Sequence, residues 1–582
     1  MSLFSAATST ARPRWVVAAA GATVALAAGI GVVLGAFLIN GRVAADAGAA
    51  AGYVPADAVA YVEARLDLPG DQRAALTELL GRFSGVEVDD VIGPGLADAI
   101  DDLIEESGVD YSYSTDIAPW FDGRVAFAML DAGDLSMDAM NPLAPLGAGD
   151  MSGVTGIPDA LVLLGTRDAA ATTAFLDRVR GDVEAQGVTT TSEAYAGTTI
   201  WSASGAGPDG ATGETGAYAL SGDQLILSAG AATIRTALDV HAGSAASFGA
   251  RDDVQAAIAK LPRDRVATFV SDATPIVAML RDQLTSLMPE LDAIADVYAS
   301  GISMLQVGSL RFEGDRIVAD GAGSMPSRGM ANSDRTLAEG VPADALVYLD
   351  GTNIGSYLAD LTAAAKEAAV AAGQEAAVAQ VEGILGADVE AFVAWIDDAA
   401  LVAGWDGSAP WGGLLVTPTS TDEAELRLGQ LKALAGLAGM AGGDIPLSVS
   451  EEMVDGVEVT RFAADGMGQE VTFEYAITDG RVLLGFGDSF IERVLATDAG
   501  ASLATNERFS SAVESAGGAS STSIVWADVA AIRQAVAEGL PEADDAIFDE
   551  KVAPWLEPLE TLIGVMRVDG DLVISRGALI AR

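Results

Sequence analysis

The chain has 582 residues, 32 Lys and Arg against 83 Asp and Glu, a net charge of −51, a single His and no Cys. Half of it is apolar, which is enough to bury large cores and excludes general disorder, and the length fits roughly two to four domains. Without Cys there are no disulfides, thiol nucleophiles or thiolate metal sites. One His removes every two-His metal motif, and the acidity argues against nucleic acid and anionic lipid surfaces as partners of the body of the chain.

In chain order, residues 1–14 read as a cytoplasmic tail and residues 15–41 as a transmembrane helix. No charge interrupts Trp15 to Gly41, a run longer than the about 20 residues a bilayer core needs. Trp15 and Asn40 lie at its ends, where the interfaces would be. A cleaved signal peptide would carry a shorter apolar region of about 7–15 residues, although Ala44 and Ala45 would suit cleavage. Arg12, Arg14 and the amino terminus outweigh Arg42, so the tail is expected in the cytoplasm and the rest outside, as a single-pass cell-membrane protein. Gly31 and Gly35 form a GxxxG pair, through which two such helices could approach as a homodimer.

Residues 42–52 read as a linker, and the remainder as a repeat. Val54-Pro55-Ala56-Asp57 and the strand after it match Val341-Pro342-Ala343-Asp344. Tyr218 to Asp223 match Tyr475 to Gly480, Ser271-Asp272 match Ala527-Asp528, and Leu310 to Asp315 match Met566 to Asp571. The order is kept, which predicts a first α+β repeat over 53–323, a linker over 324–340 and a second repeat over 341–582. Within each, an opening strand (Ala58–Leu66, Ala345–Asp350) is followed by helices. Leu76, Leu79, Leu80 and Phe83 have helical spacing, as do Leu96, Ile100, Leu103 and Ile104. A long Ala-rich helix is expected from Ile354 to Leu385. Strands follow at Val125–Leu130 and Leu161–Leu164, with counterparts at Ala399–Gly404 and Leu414–Thr417. Then come a helix with Phe175, Leu176 and Val179, and a run of hairpins turning at Gly222-Asp223 and Asp479-Gly480. The expected fold class is α+β: an N-terminal transmembrane helix followed by two homologous copies of an antiparallel sheet with packed helices.

The stretch VPADAVAYVEARLDLPGDQRAALTELLGRF and the YALSGDQLILS hairpin, behind a membrane helix, resemble a bacterial membrane-anchored family catalogued as domain of unknown function 3352. The resemblance implies a bacterial envelope protein of α+β build and brings no catalytic residues with it.

Candidate chemistry is sparse. His241 closes a helix before Ala242-Gly243, where a cation suits the helix dipole; with no partner motif it reads as structural. Gly205 to Gly210 fit G-x-G-x-x-G but fall in a hairpin connection, not between strand and helix. Acid pairs such as Asp89-Asp90, Asp101-Asp102, Glu105-Glu106, Asp544-Asp545 and Asp549-Glu550 read as solvated faces, and no spacing resembles a calcium loop. No catalytic residue, metal ligand or cofactor is assigned. The insertion from Asp131 to Pro158 holds Met137, Met140 and Met151, a possible contact loop of adaptable side chains. The acidity also suits a surface kept soluble at high salt.

The leading expectation is a membrane-tethered, extracytoplasmic, non-enzymatic module that binds or scaffolds an envelope component, an apolar or lipid ligand, or a protein partner. The alternative is a carboxylate-dependent hydrolase of an envelope polysaccharide, which needs two facing acids at roughly 5–9.5 Å. A signalling role would need a separate membrane partner, since so short a tail cannot fold alone.

Overall fold

The computed structural model describes residues 50–582 except 66–67, 69–70, 84–93, 107–109, 132–158, 207–211, 276, 279–280, 282–304, 325–329, 408, 441–446, 467–468, 488, 498–500, 519 and 540–551. Contacts divide the chain into two units. The first comprises Met1–Gly81, Gly85–Ile276 and Leu305–Gly314; the second comprises Arg82–Ser84, Val277–Met304 and Asp315–Arg582.

The first unit contains β1 (Ala60–Arg65), α1 (Asp71–Leu80), α2 (Pro94–Glu106), β2 (Phe121–Met129), β3 (Ala160–Thr166), α3 (Ala169–Ala185), β4 (Thr189–Tyr195), β5 (Thr198–Ala206), β6 (Thr212–Ser221), β7 (Gln224–Ser228), α4 (Ala231–His241), α5 (Asp252–Ile258), β8 (Ala267–Asp272) and β9 (Leu305–Glu313). Its strands pair in the order β4-β5-β6-β7-β3-β2-β1-β8-β9, all antiparallel. Asp168 caps α3, accepting from the amides of Ala170 and Ala171 at 3.0 Å each. Trp120, Phe121, Phe175, Leu176 and Leu225 form one of its cores.

The second unit contains β10 (Arg316–Ser324), β11 (Ala345–Gly351), α6 (Ile354–Ala371), α7 (Glu375–Leu385), α8 (Val389–Val393), β12 (Ile396–Trp405), β13 (Pro410–Pro418), α9 (Thr421–Met440), β14 (Leu447–Val454), β15 (Val457–Gly466), β16 (Gln469–Thr478), β17 (Arg481–Phe486), α10 (Phe490–Leu495), α11 (Glu507–Ser515), β18 (Ser523–Asp528), α12 (Val529–Gly539), α13 (Ala553–Leu556), β19 (Leu559–Asp569) and β20 (Leu572–Ala581). The order of pairing is β10-β20-β19-β18-β11-β12-β13-β17-β16-β15-β14. Asp479 and Gly480 both have positive φ, 49° and 71°, the geometry a two-residue hairpin turn requires. The long Ala-rich helix expected from Ile354 divides into α6 and α7, because Gly373 takes φ 74° and ends the first helical run.

Two expectations are overturned. The strands do not form two copies of a sheet; all 20 belong to a single antiparallel sheet. β10 was expected to close the first copy. It pairs with β9 and also with β20, from Arg316↔Ile580 to Gly323↔Val573, because an added partner satisfies a row of backbone donors and acceptors that an edge would leave open. The units therefore hold nine and eleven strands, not equal copies. The single-pass membrane location is also corrected: no helix among the described residues is long and apolar enough to cross a membrane. The longest, α6 and α9, carry Asp360, Lys366 and Glu367, and Asp422, Glu423, Glu425, Arg427 and Lys432, charges that are costly in hydrocarbon. Residues 15–41, on which the anchor was read, lie outside the described residues.

The core of the second unit surrounds Tyr348, Trp411, Phe490, Phe509 and Trp526. Phe509 meets the Tyr348 and Trp526 rings edge-on, with centroids 5.5 Å apart in each case. At its margin sits a buried ion pair. Arg335 Nε donates to Asp350 Oδ2 at 3.0 Å, with side chains only 2% and 0% exposed. The Asp350 carboxylate also accepts from Tyr348 Oη at 2.8 Å and the Ile524 amide at 2.6 Å. Arg335 reaches Asp398 Oδ2 and Ser333 Oγ through Nη1. Arg335→Ala would leave Asp350 buried without its counter-charge, held only by Tyr348 Oη and the Ile524 amide; the expected loss is about 3–5 kcal/mol in chemical denaturation, and a loss under about 1 kcal/mol would contradict this account.

In the first unit Arg251 joins Asp272 Oδ2 at 2.8 Å and Asp253 Oδ2 at 2.7 Å. Burial pushes the Asp272 carboxyl up, but hydrogen bonds from Thr274 and Arg251 outweigh it and hold the group below the usual carboxylate range. A depressed folded-state value contributes stability above the unfolded-state value of about 3.9. That stability is lost as pH falls through the lower folded-state value. Arg251→Ala should cost about 1.5–3 kcal/mol at neutral pH, and its stability should fall less steeply than wild type between pH 5 and 2 when unfolding is followed by circular dichroism.

Candidate functional site

Four neighbouring strands of the second unit, β12, β11, β18 and β19, direct Val402, Tyr348, Trp526 and Ile563 into the aromatic core. The two-residue period of a strand sends alternate side chains to the opposite face. There stand Leu401, Leu349, Val525 and Leu562, 41%, 41%, 37% and 43% exposed. Leu349 lies directly opposite both Leu401 and Val525; Val525 faces Gly564, and Leu562 faces Ala527 two pairs further on, on the same face. The four therefore form one apolar row across four strands. In an antiparallel sheet with one wet face these positions are ordinarily polar.

The same face is covered further along. Ala399, Leu414 and Val416 on β12 and β13 pack with Ala424 and Leu428 of α9. α6 packs on β12, and α12 on β11, β18 and β19. Tyr357 on α6 and Val536 on α12 are themselves exposed.

One pair beyond Leu562, Thr561 faces Asp528, and the pleat puts this pair on the buried, aromatic-core face opposite the open row. Asp528 accepts from Arg508 Nη1 at 2.8 and 2.6 Å, and its Oδ1 also accepts from the Ala531 amide at 2.9 Å in the first turn of α12. Arg508, Arg533, Gln534, Ala537 and Ala553 line an open cleft of about 440 Å³ there. The first unit has a smaller cleft of about 220 Å³, lined by Tyr61, Phe248, Gln255, Ile258 and Val270.

The residues singled out from sequence behave differently. Trp15, Gly31, Gly35 and Asn40 of the expected anchor, and Met137, Met140 and Met151 of the expected contact loop, lie outside the described residues. So do four of the six positions of the Gly-rich motif, while Gly205 and Ala206 belong to β5. His241 ends α4, exposed, with its ring stacked on Tyr53 at 4.0 Å and 4° between planes. Tyr53 Oη donates to the Ser221 carbonyl at 3.0 Å and lies 3.3 Å from His241 Nε2. Burial raises the Tyr53 phenol above its usual range. The arrangement ties α4 to the turn at Ala51–Tyr53. Asp101, read as a solvated acid, instead accepts from the Tyr113 amide and from the Ser114 amide and hydroxyl. Among the described residues no group of three or more His, Asp or Glu is placed to hold a metal ion.

Sequence reasoning passed over Leu349, Leu401, Val525 and Leu562. Their signal lay in ALVYLD, AALVAGW and SIVWAD, strands apolar at both odd and even positions, the pattern of a strand covered on two faces.

The fold defines the class first: an α+β protein built on a large antiparallel sheet. The chain belongs to the family described as "Protein of unknown function (DUF3352)", whose model matches residues 17–559. No curated protein matches the chain. Among solved structures, "Structure of crystal form I of TP0453" is similar at 12% identity over 43% of this chain and 94% of that one, with a TM-score of 0.20, too low to carry an argument.

His241→Ala should lower stability by about 0.5–1.5 kcal/mol through loss of the stacked pair, measured by urea unfolding; an unchanged midpoint would remove its structural role.

Proposed function

We propose that the protein is a non-catalytic binding module whose second unit holds an apolar ligand against the open row of Leu401, Leu349, Val525 and Leu562. The observation that carries this reading is the row itself: four large apolar side chains on one face of neighbouring strands that stay exposed among the described residues, beside a stretch of the same face that a helix closes. Water beside that surface is unfavourable at roughly 25 cal/mol per Å², so an acyl or other hydrocarbon chain laid across it gains what α9 gains over β13. Contiguous exposed apolar area on an otherwise strongly charged chain marks a binding surface more often than a neutral one.

A carboxylate-dependent hydrolase needs facing acids in a cleft. Neither cleft described above has an Asp or Glu in its lining, which supports the binding reading over that alternative.

Purified protein should bind the uncharged probe N-phenyl-1-naphthylamine, with a rise in its fluorescence. Leu349→Asp with Val525→Asp should weaken that binding about tenfold or more, with an unchanged circular dichroism spectrum because both positions are exposed. Absence of probe binding, or binding indifferent to the double variant, would sink the proposal.

A further inference from the structure

A short constellation recurs in both units. In the first, the Phe248 amide donates to the Val54 carbonyl at 2.8 Å, and Pro55 bridges Ser247. In the second, the Leu503 amide donates to the Val341 carbonyl at 2.8 Å, and Pro342 bridges Ser502. A helix follows each bridge, α5 or α11, and the next strand pairs with the strand that opens the unit. Register sets Val270 opposite Tyr61 in the first unit and Trp526 opposite Tyr348 in the second. Counted from the two bridged serines, Val254 of α5 has the place of Phe509 of α11.

The same frame carries different fillings. In the second unit the Phe509 ring meets Tyr348 and Trp526 edge-on, and Trp526 is 0% exposed. In the first unit valines stand where those two rings would be. Phe248, at the place of Leu503, restores one ring, tilted by 52° with its centroid 6.3 Å from that of Tyr61. The space that is left is the cleft of about 220 Å³ between Tyr61, Phe248, Val254, Ile258 and Val270. Protein interiors hold few voids above the size of a water molecule.

The floor of this cleft is apolar. The Tyr61 hydroxyl donates to Glu63 at 2.6 Å, and the Ser247 hydroxyl donates to the Ala51 carbonyl at 3.0 Å, so both hydrogens are already used. Water needs two to four polar partners to be held in such a place, and a dry apolar cavity of about 150 Å³ takes up benzene. At the mouth, Gln255 donates through Nε2 to the Gly249 carbonyl, and its Oε1 has no partner among the described residues. The lining holds no Lys or Arg, so an ionised ligand would lose its hydration there without gaining a counter-charge.

We infer that the first unit binds a small neutral aromatic molecule of one or two fused rings, seated between Val254 and Val270. The chain itself names this class, because the equivalent space in the second unit is filled by a benzyl and an indole ring. Aromatic neighbours favour a further ring in edge-on or offset contact, and the Gln255 carbonyl suits a ring N–H. The site belongs to the unit that does not carry the row of Leu and Val, and it stands whether or not that row binds a ligand.

The test titrates the full chain with indole in a calorimeter. One indole per chain should bind with a dissociation constant of about 1 mM or tighter. Leu349→Asp with Val525→Asp should leave that binding as in wild type, which separates this cleft from the row. Val270→Trp gives the first unit the side chain that the second already holds, and it should weaken indole binding about tenfold or more with an unchanged circular dichroism spectrum. Should Val270→Trp not fold, wild-type crystals grown with 5-bromoindole decide, since the anomalous signal of bromine must lie beside Val270. No binding of indole, binding indifferent to Val270→Trp, or bromine found only elsewhere overturns the inference.

Discussion

The constraint on which the second unit depends is that β12, β11, β18 and β19 carry apolar side chains on both faces while their backbones are satisfied within the ladder. A strand of that kind cannot sit at a wet surface without cost, and it cannot turn a side chain away from one face without presenting it to the other. One face closes over Tyr348, Trp526 and Phe509. The other is closed in part by α9, and what stays exposed among the described residues is the row of Leu and Val from which the functional reading grows.

Polar chemistry in this unit is arranged around the same strands. Asp350, next to Leu349, is fully enclosed and satisfied by Arg335, Tyr348 and the Ile524 amide. Asp528, at the end of β18, carries both Arg508 and the first turn of α12. Buried carboxylates are stable only with such partners. Each one fixes an element at the rim of the apolar row: Asp350 holds the segment before β11, and Asp528 sets the start of α12 and one wall of the cleft.

The first unit handles its special side chains differently. Its lone His is engaged with Tyr53 at the end of α4, and Arg251 gathers two acids with the Ala56 carbonyl. These contacts bind distant parts of the chain to one another across separations of up to 196 residues, as with Ser247 and Ala51. They are fastenings, and the long loops and helices between strands of this sheet need them because loop closure is entropically costly.

Much of the local structure was legible in the residues alone. Alternation and turn dipeptides placed β7 and the hairpins at Gly222 and at Asp479-Gly480, and the spacing of Leu76, Leu79 and Leu80 placed α1, because these signals act over a few residues. Membership of the family was legible in the opening stretch and the hairpin after it. The break at Gly373 was not, since one glycine in an Ala-rich run is tolerated or disruptive according to what the following turn packs against. Nor was the single sheet: that β10, beside β9, also pairs with β20 depends on a strand at the far end of the chain. The binding surface was beyond reach for the same reason. Sequence shows that Leu349 and Val525 are apolar; only the packing of α6, α9 and α12 decides which apolar strand face is covered and which is left to a ligand.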